Sequence, residues 1–207
     1  MKHLWNILCR GSILTILLSS LLLIASAETV SFCDSIPMQI TDWNSSVTLP
    51  KFDPEMGTLT GVDLKSESNL SRDISLENMN NNSANFALFL MGGLLIELPN
   101  SESISQNVNQ SFEGRLSGFD GSKDYSAPSG LNKSEVIAVE PAFKSYFAID
   151  DFKASFVGEK AVLPVMTSFS TQVQSSGSAS SRVTLKAGAS VCITYTYEPK
   201  IAKEGGI

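Results

Sequence analysis

The sequence predicts an all-β protein, a single β-sandwich of Greek-key or jelly-roll type with about eight to ten short strands. Three observations predict it. Apolar residues alternate with Ser, Thr, Asn and Lys in short runs. Clusters of Gly, Asn and Ser separate those runs as turns do. No segment sustains the 3.6-residue period of an amphipathic helix.

Taken in order, Val47–Leu49 is a first short run. Val62–Leu64 follows Gly57 and Gly61, where a turn and a bulge are expected. Leu70, Arg72, Ile74 and Leu76 share one parity, as a half-buried strand requires. Asn78–Ser83 is a polar turn. Phe86–Met91 and Leu94–Leu98 are continuously apolar with Gly92-Gly93 between, which reads as two buried strands or one bent strand. Further strands are expected at Val108–Phe112, Val136–Val139, Phe147–Phe156, Lys160–Val173 and Arg182–Tyr197. In the last, Val191, Ile193, Tyr195 and Tyr197 share a face and Cys192 lies on the other. Gly114–Gly130 and Gln174–Arg182 read as surface loops, and Pro141–Tyr146 as one helical turn. No linker interrupts this series, so residues 28–199 are expected to form one domain, with residues 200–207 a short polar tail.

The first 27 residues read as an address. Lys2, His3 and Arg10 precede the apolar run Ile13–Ile24, and Ala25-Ser26-Ala27 is a small-residue cleavage pattern. Cleavage is expected after Ala27. The apolar run is shorter than the roughly 18 residues of a membrane span, so no span is expected once the leader is gone. Cys9 precedes the run instead of following it, which argues against lipidation. The leader carries away Lys2 and Arg10, so 15 basic residues become 13 against an unchanged 21 acidic ones, and the net charge moves from −6 to −8.

That acidic balance excludes a basic nucleic-acid binder, and an apolar fraction of 43% excludes a disordered acidic tail. The sole histidine, His3, leaves with the leader. Imidazole-based nucleophilic catalysis and histidine-ligated zinc are therefore excluded. Cys33 and Cys192 remain, and in an exported chain two cysteines point to a disulfide, with a pair of buried free thiols as the alternative. A loop that long is worth about 5 kcal/mol at most in the chain-entropy treatment.

Acid–base chemistry is then left to carboxylates. Asp53 and Glu55, Asp120 and Asp124, and Asp150 and Asp151 are the candidate pairs for a glycan hydrolase, although Asp-Gly and Asp-Pro are also ordinary turn chemistry. Asp120, Ser122 and Asp124 place oxygen ligands at alternate positions and form a weak calcium candidate that lacks the Gly and Glu of an EF-hand loop. No other cofactor is expected. Asn44, Asn69, Asn81, Asn109 and Asn132 stand in Asn-x-Ser sequons and are glycosylation acceptors in a host that modifies exported proteins. Trp43, Tyr195 and Tyr197 could form a platform for stacking on a sugar, but such residues more often fill a core or cross-strand face, and the core is the favoured reading.

Leu49-Pro50-Lys51-Phe52-Asp53-Pro54, followed by Gly57-Thr58-Leu59-Thr60-Gly61-Val62-Asp63-Leu64, resembles the opening signature of the choice-of-anchor E domain. Val191-Cys192-Ile193-Thr194-Tyr195-Thr196-Tyr197-Glu198-Pro199 resembles that family's terminal strand, and Phe119-Asp120-Gly121 and Phe143–Tyr146 fit more loosely. The resemblance covers Ser46–Pro199. It implies an exported β-rich module of bacteria or archaea without a settled activity, usually followed by a surface-sorting tail such as the PEP-CTERM type. Lys200–Ile207 has no apolar span and no basic cluster, so release or retention by a partner is expected in place of anchoring. The two cysteines depart from the family pattern. The function these readings favour is a non-enzymatic structural or adhesive module of the cell surface or matrix, whose partners are surface or matrix components, glycans among them. A carbohydrate-binding module and a carboxylate-driven glycan hydrolase are the alternatives.

Overall fold

The computed structural model describes residues 26–200. Most of the expected leader (residues 1–25) and of the expected polar tail (residues 201–207) lies outside the described residues. Nine strands are present among the described residues: β1 (Glu28–Ile40), β2 (Asn44–Pro50), β3 (Gly57–Asn78), β4 (Ala84–Glu97), β5 (Ser103–Leu116), β6 (Gly130–Ala138), β7 (Ala142–Tyr146), β8 (Lys160–Ser175) and β9 (Ala179–Pro199). They form two antiparallel sheets packed face to face. The first sheet runs β1-β9-β3, with β6 and β7 sharing the far edge of β3. The second runs β2-β8-β4-β5. Sequence neighbours mostly alternate between sheets, and only β4–β5 is a hairpin within one. This is a jelly roll whose sixth strand is split into β6 and β7. The expected all-β sandwich is the fold.

The core follows from strand parity. On β3, Leu70, Arg72, Ile74 and Leu76 are all buried, while Asp73 and Ser75 are turned away. Val191, Ile193, Tyr195 and Tyr197 of β9 are buried on the same inner side, and meet Val47, Leu49, Leu163, Val165, Leu90 and Ile96 from the second sheet. A smaller cluster of Ile74, Leu76, Phe86, Leu88 and Leu116 fills the other end. Arg72 sits on β3 between Leu70 of the main cluster and Ile74 of the smaller one.

Cys33 and Cys192 are register partners on β1 and β9, their Cα atoms 4.1 Å apart, and they are joined by a disulfide. Cys192 lies on the face opposite Tyr195, as the alternation requires. The bridge ties the first strand to the last across 159 residues.

Several local expectations change. Pro141–Tyr146 is not a helical turn: Ala142–Tyr146 is β7, which pairs with Val62–Ser66 and caps the sheet edge that β6 leaves open. Phe147–Phe156 is not a strand but a connection carrying a short 3-10 helix, Ile149–Phe152, held by the bridge from Phe52 to Lys153. The two expected runs at Val62 and Leu70 are one strand, with a bulge between Leu59 and Gly61 where Gly61 marked it. Gln174–Arg182 shrinks to the turn Ser176–Ser178, because β8 and β9 extend into it.

Gly92-Gly93 neither ends nor divides β4. Gly92 has φ +148°, and a Cβ there would stand 2.2 Å from the Ser168 carbonyl oxygen. A Cβ on Gly93 would stand 2.2 Å from the Gln106 carbonyl oxygen. The glycines let β4 lie close between β8 and β5, and Gly93, on the outward parity of Met91 and Leu95, leaves the outer face of the second sheet without a side chain at its centre.

Candidate functional site

The outward face of the second sheet is hollowed along β4. Its central depression, about 580 Å³, is floored by Gly92-Gly93 and bordered by Met91 and Leu95 of β4. Asn107 and Asn109 of β5 stand on one side, Met166 and Ser168 of β8 on the other, with Asn44 of β2 behind. Alternation puts these side chains outward because their neighbours Leu94, Val108, Val165 and Thr167 are the buried ones. Asn44, Asn107, Asn109 and Ser168 are exposed, and Met91 is 49% exposed.

Two further depressions lie farther along β4, one beyond the outward, half-buried Phe89 and one sharing Leu95 with the central hollow. One, about 350 Å³, lies among Asn85, Ala87, Glu113, Gln174 and Ser176. The other, about 400 Å³, lies among Leu95, Glu97, Ser101, Glu102 and Ser103. From Asn85 to Glu97 the strand covers roughly 40 Å at the usual rise per residue. The trough is therefore long and shallow. Its centre carries amides, hydroxyls and thioethers with no charged side chain. Its ends carry carboxylates, of which Glu102 is paired with Lys144 at 2.7 Å.

The residues singled out from sequence fall elsewhere, with one exception. The stacking platform is corrected: Trp43, Tyr195 and Tyr197 are 9%, 0% and 7% exposed and belong to the core. Their polar atoms are used inside. Trp43 Nε1 donates to the Ala187 carbonyl at 3.1 Å, Tyr195 Oη to the Pro50 carbonyl at 2.8 Å and Tyr197 Oη to Glu28 at 2.9 Å. Burial pushes the Tyr195 hydroxyl up in pKa, and the Glu28 carboxylate does the same to Tyr197.

The carboxylates are occupied in turns and ion pairs. Asp53, Asp120 and Asp124 accept backbone N–H groups from Glu55, Ser122 and Ser126 at 2.9 Å each, as Asx turns do. Glu55 faces Lys200 at 3.5 Å and Asp150 pairs with Lys153 at 2.6 Å. Asp151 accepts from Tyr146 Oη at 2.6 Å and from Asn100 Nδ2 at 2.5 Å. Burial first, then the Asp151 carboxylate, raises the Tyr146 hydroxyl to about 12. None of these six carboxylates lines the trough. Asp120 and Asp124 are exposed, and among the described residues no group of three or more His, Cys, Asp or Glu is placed to hold a metal ion. No helix among them is long and apolar enough to cross a membrane.

All five sequon asparagines are exposed. Asn44 and Asn109 are the exception noted above: both border the central depression. Asn107, Met166 and Ser168 were not singled out from sequence. The outward alternation of Ser103, Ser105, Asn107 and Asn109 in β5, and of Pro164, Met166 and Ser168 in β8, is the signal that finds them once those stretches are recognised as strands.

No protein-family model matches the chain, and no curated protein does. Two solved structures are similar to it at a low level. The structure of the infectious bursal disease virus Gx strain shares 10% identity with a TM-score of 0.20, covering 84% of this chain and 38% of that one. That of the Gt strain shares 9% identity with a TM-score of 0.17, covering 83% and 37%. The chain thus spans under two fifths of either.

Proposed function

We propose that the protein is an exported, non-enzymatic module of the cell surface or extracellular matrix with a structural or adhesive role. The observation that carries this reading is the Cys33–Cys192 disulfide in a chain that opens with a cleavable leader pattern. Disulfides persist in oxidising compartments outside the cytosol, and this one fastens together the two strands at which the chain enters and leaves the sandwich. A polar Ser/Asn surface and carboxylates committed to turns support a binding or scaffolding role over catalysis. The resemblance to choice-of-anchor E domains is in keeping with it.

The test is expression of the full chain in a bacterium with an intact export pathway, followed by fractionation. The expected product begins at Glu28, is recovered outside the cytoplasm and runs faster on a non-reducing gel than on a reducing one. An unprocessed, reduced chain confined to the cytoplasm rejects the reading.

A further inference from the structure

We infer that the trough on the outer face of the second sheet binds an extended, uncharged, hydroxyl-rich polymer, a neutral polysaccharide chain. The inference rests on the surface-module reading and names its ligand. Three features of the trough support it.

The first is shape. Three depressions lie in line along β4, from Asn85 to Glu97, on one face of one sheet. A compact metabolite needs one enclosed pocket; a row of shallow hollows roughly 40 Å long fits a linear chain lying along the strands.

The second is chemistry. The exposed amides of Asn44, Asn107 and Asn109 and the hydroxyls of Ser105 and Ser168 each offer donors and acceptors on short side chains. Such groups match sugar hydroxyls, which also donate and accept. Between them Met91, Leu95 and Met166 present apolar surface on which the C–H faces of sugar rings can rest. Gly92-Gly93 contribute no side chain to the floor of the central depression, which a ring can approach there.

The third is charge. The centre carries no ionised side chain, and Glu97, Glu102 and Glu113 stand at the ends. A chain with net charge −6, with Glu97 and Glu113 at the two ends of its trough and Glu102 neutralised by Lys144, disfavours anionic polymers and so selects neutral ones.

The trough is tested with the purified protein, expressed as the full chain, by retardation in native gels that contain hydroxyethyl cellulose, galactomannan or dextran, with alginate as the anionic probe. Retardation by at least one neutral polymer, none by alginate, and little change between low and high salt are expected. Asn107→Ala weakens retention about five- to ten-fold through the lost amide contacts. Ser168→Trp, which fills the central depression from its rim, abolishes it. Asn69→Trp, on the outer face of the other sheet, leaves it unchanged. Thermal melts establish that each variant is folded. Absence of retention by every neutral polymer overturns the inference, as does retention that survives Ser168→Trp. So does self-association in light scattering that Ser168→Trp abolishes, since the occupant is then a second copy. A chain that is exported and oxidised yet binds none of the polymers sinks the trough and leaves the surface-module reading standing.

Discussion

Arg72 and Glu135 lie directly opposite each other on β3 and β6, and the guanidinium donates from Nε to the Glu135 carboxylate at 2.8 Å. The arginine is only 3% exposed, on the inner face of its strand. Its Nη2 also reaches Glu135, while Nη1 is buried without a partner among the described residues. Lys133 meets the second Glu135 oxygen at 2.7 Å and lies 4.3 Å over the Phe112 ring. A charged cluster therefore stands between the two apolar clusters of the sandwich. Its energetic weight lies less in attraction than in what happens when one partner is taken away.

Glu135→Ala is expected to destabilise the protein by about 3 kcal/mol, because it leaves a buried guanidinium without its counter-charge. Replacing both partners, Arg72→Met with Glu135→Leu, is expected to cost less than the single change. Urea melts of the three proteins check this; a double variant as unstable as Glu135→Ala argues against the buried-charge account.

The same pair gives stability a direction in acid. Burial opposes the charged form of Glu135, but hydrogen bonds from Lys133 and Arg72 outweigh it and hold the carboxyl below its ordinary value. A carboxyl with a depressed folded-state pKa contributes stability above its unfolded-state value and loses it as pH falls through the folded one. Glu159, held low by Lys51 and the Ser155 backbone, acts the same way. Melting temperature is expected to fall as pH drops below about 4.5, with a smaller fall in Glu135→Gln.

At high pH the tyrosines reverse the sign. Tyr146 is raised to about 12 from an ordinary 10.0, and Tyr195 and Tyr197 are raised as well. Their neutral forms belong to the fold, so stability is complete below the unfolded-state value and declines as pH rises from 10 to 12. Absorbance at about 295 nm is expected to show Tyr125, whose hydroxyl is held low chiefly by its hydrogen bond with Ser180, ionising first, and the other three tyrosines ionising late and together with loss of tertiary structure. Tyr146→Phe removes the hydrogen bond to Asp151 and is expected to cost about 1 kcal/mol at neutral pH.

Reduction of Cys33–Cys192 releases a loop that spans nearly the whole sandwich. The double change Cys33→Ala with Cys192→Ala is expected to lower stability by about 2–5 kcal/mol without altering the fold. The inner face of β9 supplies enough buried contact, through Val191, Ile193 and Tyr195, to keep β9 in place while β1 frays first. Amide exchange that accelerates along β1 before β9 is the expected signature.

What was legible in the sequence is what alternation and turn chemistry control. The sandwich, the inward face of β9, the outward Cys192, the bulge at Gly61 and the surface position of all five sequon asparagines follow from residue periodicity alone. Pairing partners did not follow. Ala142–Tyr146 reads as a turn until β3 is seen to offer Val62–Ser66 an empty edge. The aromatics split on the same point: a buried Tyr195 and an exposed stacking Tyr have the same local sequence, and only the opposing sheet decides. The trough is less legible still, because its floor is the missing side chains of Gly92-Gly93 and its walls come from the β4–β5 hairpin together with β2 and β8, which are distant from it in sequence.

Asn44 and Asn109 join two readings that conflict on one face. Both are exposed sequon residues, and both border the central depression of the trough. A glycan on either is far larger than a hollow of about 580 Å³ and would lie across it. In a host that glycosylates exported proteins, the chain is expected to acquire mass that glycosidase treatment removes, and to lose retention by neutral polysaccharide. Asn44→Gln with Asn109→Gln restores retention in part, because glutamine keeps an amide while abolishing the acceptor; Asn69→Gln, Asn81→Gln and Asn132→Gln do not restore it. Material from a non-glycosylating host binds without treatment. Full retention by the glycosylated chain, with occupancy at Asn44 and Asn109 shown by mass spectrometry, would place the ligand away from this face.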